Sequence, residues 1–141
     1  VILARFVPEL DGIQELLKRK QIGYASVRGG VSNRAEEIRR FQEDADCCVF
    51  VGQIAAAGLG ITLTAASTMV FYSLDYSMSN FEQAKARIHR VSQTENCLYI
   101  YLTAKHTVDT KILRALRDKA DLAKMLVDDY RNGINPFQEG V

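Results

Sequence analysis

The run Cys47-Cys48-Val49-Phe50-Val51 offers no polar side chain at either parity of position. Successive residues of a strand face opposite sides of a sheet, so such a run belongs in a sheet covered on both faces. Sheets of that kind are built from parallel strands with helical crossovers packed on each side. The rest of the chain supplies the pieces. Further β-prone runs fall at residues 1–6, 24–27, 61–63, 69–73 and 98–102. Between them lie helical patterns. The first places Leu10, Ile13, Leu16 and Leu17 on one face and is broken at Gly23. The second is capped at Ser32 and carries Ala35, Ile38 and Phe41, with Arg34, Arg39 and Arg40 toward other faces. A third starts at Ser79-x-x-Glu82, a capping-box spacing, and runs through Arg90. A long fourth runs from Thr107 to about Asp129, with Ile112, Leu116, Ala123, Leu126 and Val127 on its buried stripe. Strand and helix alternate with short joints, which predicts an α/β fold: a mainly parallel central sheet with helices on both faces.

At 141 residues the chain has the length of one domain, and 48% apolar residues are enough for a core. Charge is nearly balanced, with 18 Lys and Arg against 17 Asp and Glu. That excludes a protein that coats nucleic acid by charge alone and makes any such contact local. The three cysteines, Cys47, Cys48 and Cys97, form no CxxC pair, and His89 and His106 stand far from any second ligand in sequence. All three thiols are expected to be small core residues in a reducing compartment, with no metal site. No apolar run approaches membrane-spanning length and no signal peptide is visible. The chain starts at Val1, without Met and inside a β-prone run, so it is expected to be a piece of something longer.

Ligands of open parallel sheets sit at the carboxyl ends of the strands. Three segments fall there: Arg28-Gly29-Gly30, the small-residue loop from Gly52 to Gly60, and the helix after Ser79. On that helix Gln83, Arg87 and Arg90 recur at i, i+4 and i+7, which puts them on one face. Two guanidinium forks one turn apart suit phosphate oxygens, although arginines on a helix are often no more than a solvated face. Gly58-Leu59-Gly60 lacks the third glycine of a dinucleotide fingerprint and reads as a tight turn or a close phosphate or ribose approach. No GxxxxGK[ST] and no D-E-x-x box occur, so neither a phosphate-cradling loop nor an acidic pair for magnesium is present. His89 points roughly opposite the arginine face and is expected to pack.

Three ordered runs make the chain more specific: A-A-A-G-L-G-I-T-L-T-A-A-S, Q-A-K-A-R-I-H-R-V-S-Q-T and Y-L-T-A-K-H-T-V-D-T-K-I-L. Together they resemble the C-terminal helicase domain of Swi/Snf-type proteins in helicase superfamily 2, over about Val1 to Val127. The stretch Thr62-Leu63-Thr64-Ala65-Ala66 looks closer to the annealing-helicase-like branch. The resemblance implies a RecA-like three-layer sandwich over residues 1–130, a tail or linker over 131–141, and an N-terminal ATP-binding lobe that this chain lacks. It further implies a nucleic-acid-dependent ATPase whose two lobes close on ATP and Mg2+, both held mainly by that other lobe. Arg87 and Arg90 would then be arginine fingers, Gln83, Gly58 and Gly60 would line the nucleotide, and Gly29, Gly30, Gln53, Ile54, Thr62 and Thr64 would meet the phosphates of one DNA strand. The implied partners are double-stranded or branched DNA and the N-terminal lobe, with no membrane. By itself the fragment is expected to be inactive.

Several positions depart from the family. Gln53-Ile54 stand where a Ser-Thr pair is usual, Thr62 where Asn is frequent, and Tyr76-Ser77-Met78 in place of Trp-Asn-Pro. Lys85-Ala86 replace an acidic position, and Ser92 replaces a Gly before Gln93. A hydroxyl donor to DNA is thus missing or moved. These departures suggest a cytoplasmic protein of bacterial, phage or plasmid origin; a eukaryotic one would be nuclear. Two alternatives stand beside the DNA translocase: an RNA helicase lobe of the same superfamily, and a degenerate lobe kept for protein docking.

Overall fold

The computed structural model describes residues 1–29, 32–55 and 60–132. Along the chain come β1 (Ile2–Ala4), α1 (Val7–Arg19), β2 (Gly23–Val27), α2 (Arg34–Glu43), β3 (Cys47–Gln53), β4 (Thr68–Phe71), α3 (Met78–Lys85), β5 (Leu98–Tyr101) and α4 (Val108–Arg131). The strands form one sheet in the order β2-β3-β1-β4-β5, and every pairing is parallel. The expected α/β architecture is present.

Strand alternation divides the core. Ala4 and Val51 face α1, where Leu10, Ile13 and Leu17 close a small cluster. Leu3, Phe50, Met69 and Phe71 face the other way, against Phe41 of α2, Phe81 and Ala84 of α3, and Ile112 and Leu116 of α4. Phe71, Phe81 and Tyr101 pack ring on ring there, with centroids 4.9 to 5.7 Å apart. Helices therefore lie on both faces, but unevenly. Tyr72, Leu98, Ile100 and Leu102 have the parity of the α1 side and remain 38 to 55% exposed.

The ends of α1 follow local chemistry. Pro8 sits in its first turn, and the Glu9 carboxylate accepts the Phe6 amide at 3.2 Å. The helix stops before Gly23: Lys20 caps it and Gln21 takes a left-handed φ of 55°. Gly23 instead opens β2, where a Cβ would meet the Asp46 carbonyl oxygen at 1.9 Å.

Other expectations are corrected. Residues 61–63 are buried at Ile61 and Leu63 yet form no strand, because the Leu63 amide donates to the Arg87 carbonyl at 2.9 Å instead of entering the ladder. Apolarity there reports burial, not pairing. Leu16 and Val127 are exposed, and so are Ala35 and Cys48; only Cys47 of the three thiols is buried. The N-cap of α2 is Asn33, not Ser32, and makes no side-chain cap bond. The side chains of Ala123 and Leu126, and the tail from residue 133, lie outside the described residues.

Candidate nucleotide and nucleic-acid interface

The helix that was expected to run from Ser79 through Arg90 is shorter. Ser77 caps it, accepting the Asn80 amide at 3.2 Å, and α3 ends at Lys85. Arg87 and Arg90 lie beyond it on a turn. The chain tightens there: the Arg87 amide donates to the Ala84 carbonyl, three residues back, at 3.0 Å, and the Arg87 carbonyl accepts from Leu63. Gln83 thus stands on α3 while both arginines follow on the turn beyond it. Gln83 Nε2 instead donates to Ser79 Oγ at 3.0 Å on the exposed side of α3.

Arg87 is only 8% exposed, and its Nε has no hydrogen-bond partner. Among the described residues no carboxylate stands within ion-pair distance of it. Burial, followed by the charges of Arg90 and Arg34, pulls Arg87 below the ordinary arginine value. The charges of Arg90, on the same turn, and of Arg34, at the start of α2, are thus felt at Arg87. A buried cation without a counter-charge is costly unless an anion completes it. Arg90 is exposed and held at two points: Nε donates to the Ala86 carbonyl at 3.3 Å and Nη1 to Thr62 Oγ1 at 3.0 Å.

The loop opposite the arginines is held by side chains from other elements. Gln93 Nε2 reaches the carbonyls of Thr64, Ala66 and Ile88 at 3.3, 2.8 and 3.2 Å. Gln42 of α2 accepts the Ala65 amide at 2.8 Å and donates to Thr64 Oγ1 at 3.4 Å. Gly60, at the start of this loop, has φ +74°, which a side chain rarely adopts. Thr62 and Thr64 are therefore brought to the arginine turn. Gly58 lies outside the described residues, as does Gly30.

A second group of expected residues collects at the carboxyl ends of β2 and β3. The exposed Gly29 amide donates to Gln53 Oε1 at 3.3 Å, so these two meet. Arg28 beside them pairs with Asp11 at 2.9 Å, a surface bridge of little energetic weight. Ile54 does not join them: its side chain is 1% exposed in the core, and its amide donates to the Ala4 carbonyl. An Ile54 side-chain contact with a strand is thereby corrected to a packing role.

Sequence reasoning missed three features. Gln42 and Gln93 as clasps of the loop carry no local signal, since the loop residues they hold lie 22 to 29 positions away. The Arg5 guanidinium rests over the Phe6 and Tyr76 rings at 5.1 and 4.8 Å, at the ends of β1 and β4, where crossovers leave in opposite directions. His89 is exposed and does not pack; it lines a cleft with Glu82, Lys85, Ala86, Cys97 and Tyr99. Burial pushes the Tyr99 phenol up to about 12, with Cys97 adding to the shift. Among the described residues no group of three or more His, Cys, Asp or Glu side chains comes together as a metal site. No helix among them is long and apolar enough to cross a membrane.

Comparison with known proteins bears on this arrangement. Residues 1–92 match the helicase conserved C-terminal domain. A chromatin-remodeling ATPase INO80 from Drosophila melanogaster is 32% identical over 129 residues, covering 90% of this chain and 8% of that protein. A human SWI/SNF-related matrix-associated actin-dependent regulator of chromatin, subfamily A, containing DEAD/H box 1, is 34% identical over 140 residues, covering 96% of this chain and 14% of that protein. The chain thus spans a small part of the length of these relatives. The crystal structure of the C-terminal part of the Fun30 ATPase domain superposes with a TM-score of 0.77 at 26% identity, over 82% of this chain and 38% of that one. These relatives carry remodeller names and, where an organism is given, come from eukaryotes. They lend no support to the bacterial, phage or plasmid origin that the departures suggested.

Proposed function

Given that the chain belongs to the helicase conserved C-terminal domain family, we propose that it is the second motor lobe of an ATP-dependent DNA translocase of the Swi/Snf type. In this reading Arg87 and Arg90 are arginine fingers that meet the terminal phosphate of ATP when an N-terminal lobe closes on this one. That lobe holds most of the nucleotide and its Mg2+. The observation that carries the reading is Arg87: a buried guanidinium without a carboxylate among the described residues, with an unbonded Nε, beside Arg90 and Arg34. Such a cluster is complementary to a phosphate and to little else of comparable charge density. A preorganised cation stabilises charge that develops during phosphoryl transfer, worth roughly a thousandfold or more in rate.

In the same reading Gly60 and Gly58 line the nucleotide side of the cleft and Gln83 stands at its rim. Gly29, Gly30, Gln53, Thr62 and Thr64 form the track for one strand, through phosphates and not bases. Supporting the track is the meeting of the Gly29 amide with Gln53 and the clasped loop that carries both threonines. Lobe closure and opening then step the strand. The relatives' remodeller names favour a nuclear setting and duplex DNA as the polymer.

The deciding experiment is Arg90→Ala in the full-length protein. DNA-stimulated hydrolysis is expected to be abolished while ATP binding is retained. Near-normal turnover would refute the finger assignment and favour a docking module. Stimulation by single-stranded, double-stranded and forked DNA, and by RNA, separates the DNA motor from an RNA helicase. The 141 residues alone are expected to hydrolyse no ATP, because half the site is absent.

A further inference from the structure

The bond from Arg90 Nη1 to Thr62 Oγ1, at 3.0 Å, joins the two halves of the site. Thr62 sits on the loop assigned to the strand; Arg90 sits on the turn assigned to the nucleotide. We infer that Thr62 is a positioning residue for Arg90, and that its one hydroxyl serves both ligands at once: it accepts from the guanidinium and donates its proton to a backbone phosphate oxygen of the bound strand. This rests on the proposed motor function and adds the atom through which strand binding reaches the finger.

The stereochemistry of the hydroxyl allows it. A threonine oxygen has two lone pairs and one proton, so accepting one hydrogen bond leaves the proton available. Accepting from a cation polarises the O–H bond and strengthens it as a donor. On the other side, Arg90 spends Nε on the Ala86 carbonyl and one Nη1 proton on Thr62. The two bonds leave from different edges of the guanidinium, one from Nε and one from Nη1, so they fix its plane, and neither uses an Nη2 proton. A fork held at two of its nitrogens loses less rotational freedom when it meets a phosphate than a free side chain does.

The loop is rigid enough for such a bond to carry orientation. Leu63 donates to the Arg87 carbonyl, Gln93 holds the carbonyls of Thr64 and Ala66, and Gln42 holds the Ala65 amide. Thr62 therefore directly precedes the first of these ties, at Leu63, with its hydroxyl on Arg90. The hydroxyl is the functional atom, because it is the atom that accepts from Arg90.

The test uses the full-length protein with duplex DNA as activator. Thr62→Val keeps the shape and removes the acceptor. Its DNA-stimulated kcat is expected to fall roughly three- to tenfold, the net scale of one ordinary hydrogen bond, with KM for ATP within about twofold. Thr62→Ser keeps the hydroxyl and is expected to stay within about twofold of the parent protein. In an Arg90→Lys background Thr62→Val is expected to cost much less, because the partner fork is already gone. Three results would overturn the inference: wild-type turnover in Thr62→Val, equal loss in Thr62→Ser, or a rise of the DNA-free rate in Thr62→Val, which would make the hydroxyl a restraint on Arg90. Its failure is distinct from failure of the motor reading, which shows as turnover surviving in Arg90→Ala.

Discussion

The α1 side of the sheet and the arginine turn solve opposite problems. On the α1 side, Leu10, Ile13 and Leu17 recur at helical spacing and close on Ala4 and Val51, with no polar group to satisfy. At the turn, a buried cation, a helix that ends early and a loop without a ladder are held together by long-range hydrogen bonds. The first region is stabilised by what it removes from water. The second contains a group that would be more stable in water, and it persists because surrounding bonds over-determine it. Stability and the candidate chemistry are thus separated in space, as expected when a site is set on a scaffold that does not itself react.

Arg87→Met should break that contrast most sharply. In the full-length protein it is expected to lower ATP hydrolysis by roughly a thousandfold or more. In urea unfolding of the 141-residue chain it is expected to raise stability, by about 1 kcal/mol, since an apolar chain of similar length replaces a buried cation that has no ion-pair partner among the described residues. Destabilisation by Arg87→Met would mean that the guanidinium is a structural tie and the turn is ordinary scaffold.

Leu10→Ala probes the other region. Leu10 is fully buried under α1, and its truncation is expected to cost about 2–5 kcal/mol, read as a lower urea midpoint at unchanged slope. A cost under about 1 kcal/mol would show that α1 does not carry the core as the packing implies.

Gln93→Ala sharpens the comparison locally. Removing the amide leaves the Thr64, Ala66 and Ile88 carbonyls without that donor, at an expected cost of about 1–3 kcal/mol. The change should appear first as faster hydrogen exchange at the Leu63 and Ala65 amides, with the α1 amides unaffected. Uniform acceleration across the chain would deny that the loop is a separable unit.

The smallest effect is alkaline. The Tyr99 phenol ionises at about 12 in the folded chain against an ordinary value of 10.0. The unfolded state therefore loses its proton first, so this contribution is intact below pH 10 and is lost as pH rises from there through 12. Tyrosinate absorbance should show one late-titrating phenol that is missing in Tyr99→Phe. The same late phase in Tyr99→Phe would assign it to Tyr101, whose phenol is also raised by burial.

Much of the scaffold was legible because it is periodic. The unbroken apolar run at Cys47 to Val51 predicts a strand covered on both faces, and β3 is one, with Phe50 turned to one core and Val51 to the other. The stripe of α1 was readable for the same reason. The site was legible in composition but not in shape. Arg87, Arg90, Thr62 and Thr64 were picked out, yet a helical face was expected for the arginines and a strand for residues 61–63. The helix tightens where the Arg87 amide donates to the Ala84 carbonyl, and the loop stays out of the sheet with the Leu63 amide on the Arg87 carbonyl. Ile54 was misplaced because nothing in a small-residue loop tells which side chain turns inward.

The sequence by itself determined the class of fold and the inventory of groups: alternating strands and helices, two arginines after α3, threonines in the loop before β4. Periodic burial is a local property, so a local pattern suffices to encode it. Only the tertiary structure decided that Arg87 is buried with no carboxylate at ion-pair distance among the described residues, that the charge of Arg34 reaches it, and that Arg90 leans on Thr62. Those relations join residues 28 to 53 positions apart. Contacts at that separation arise only after the sheet has ordered its strands, and no propensity of the individual residues contains them.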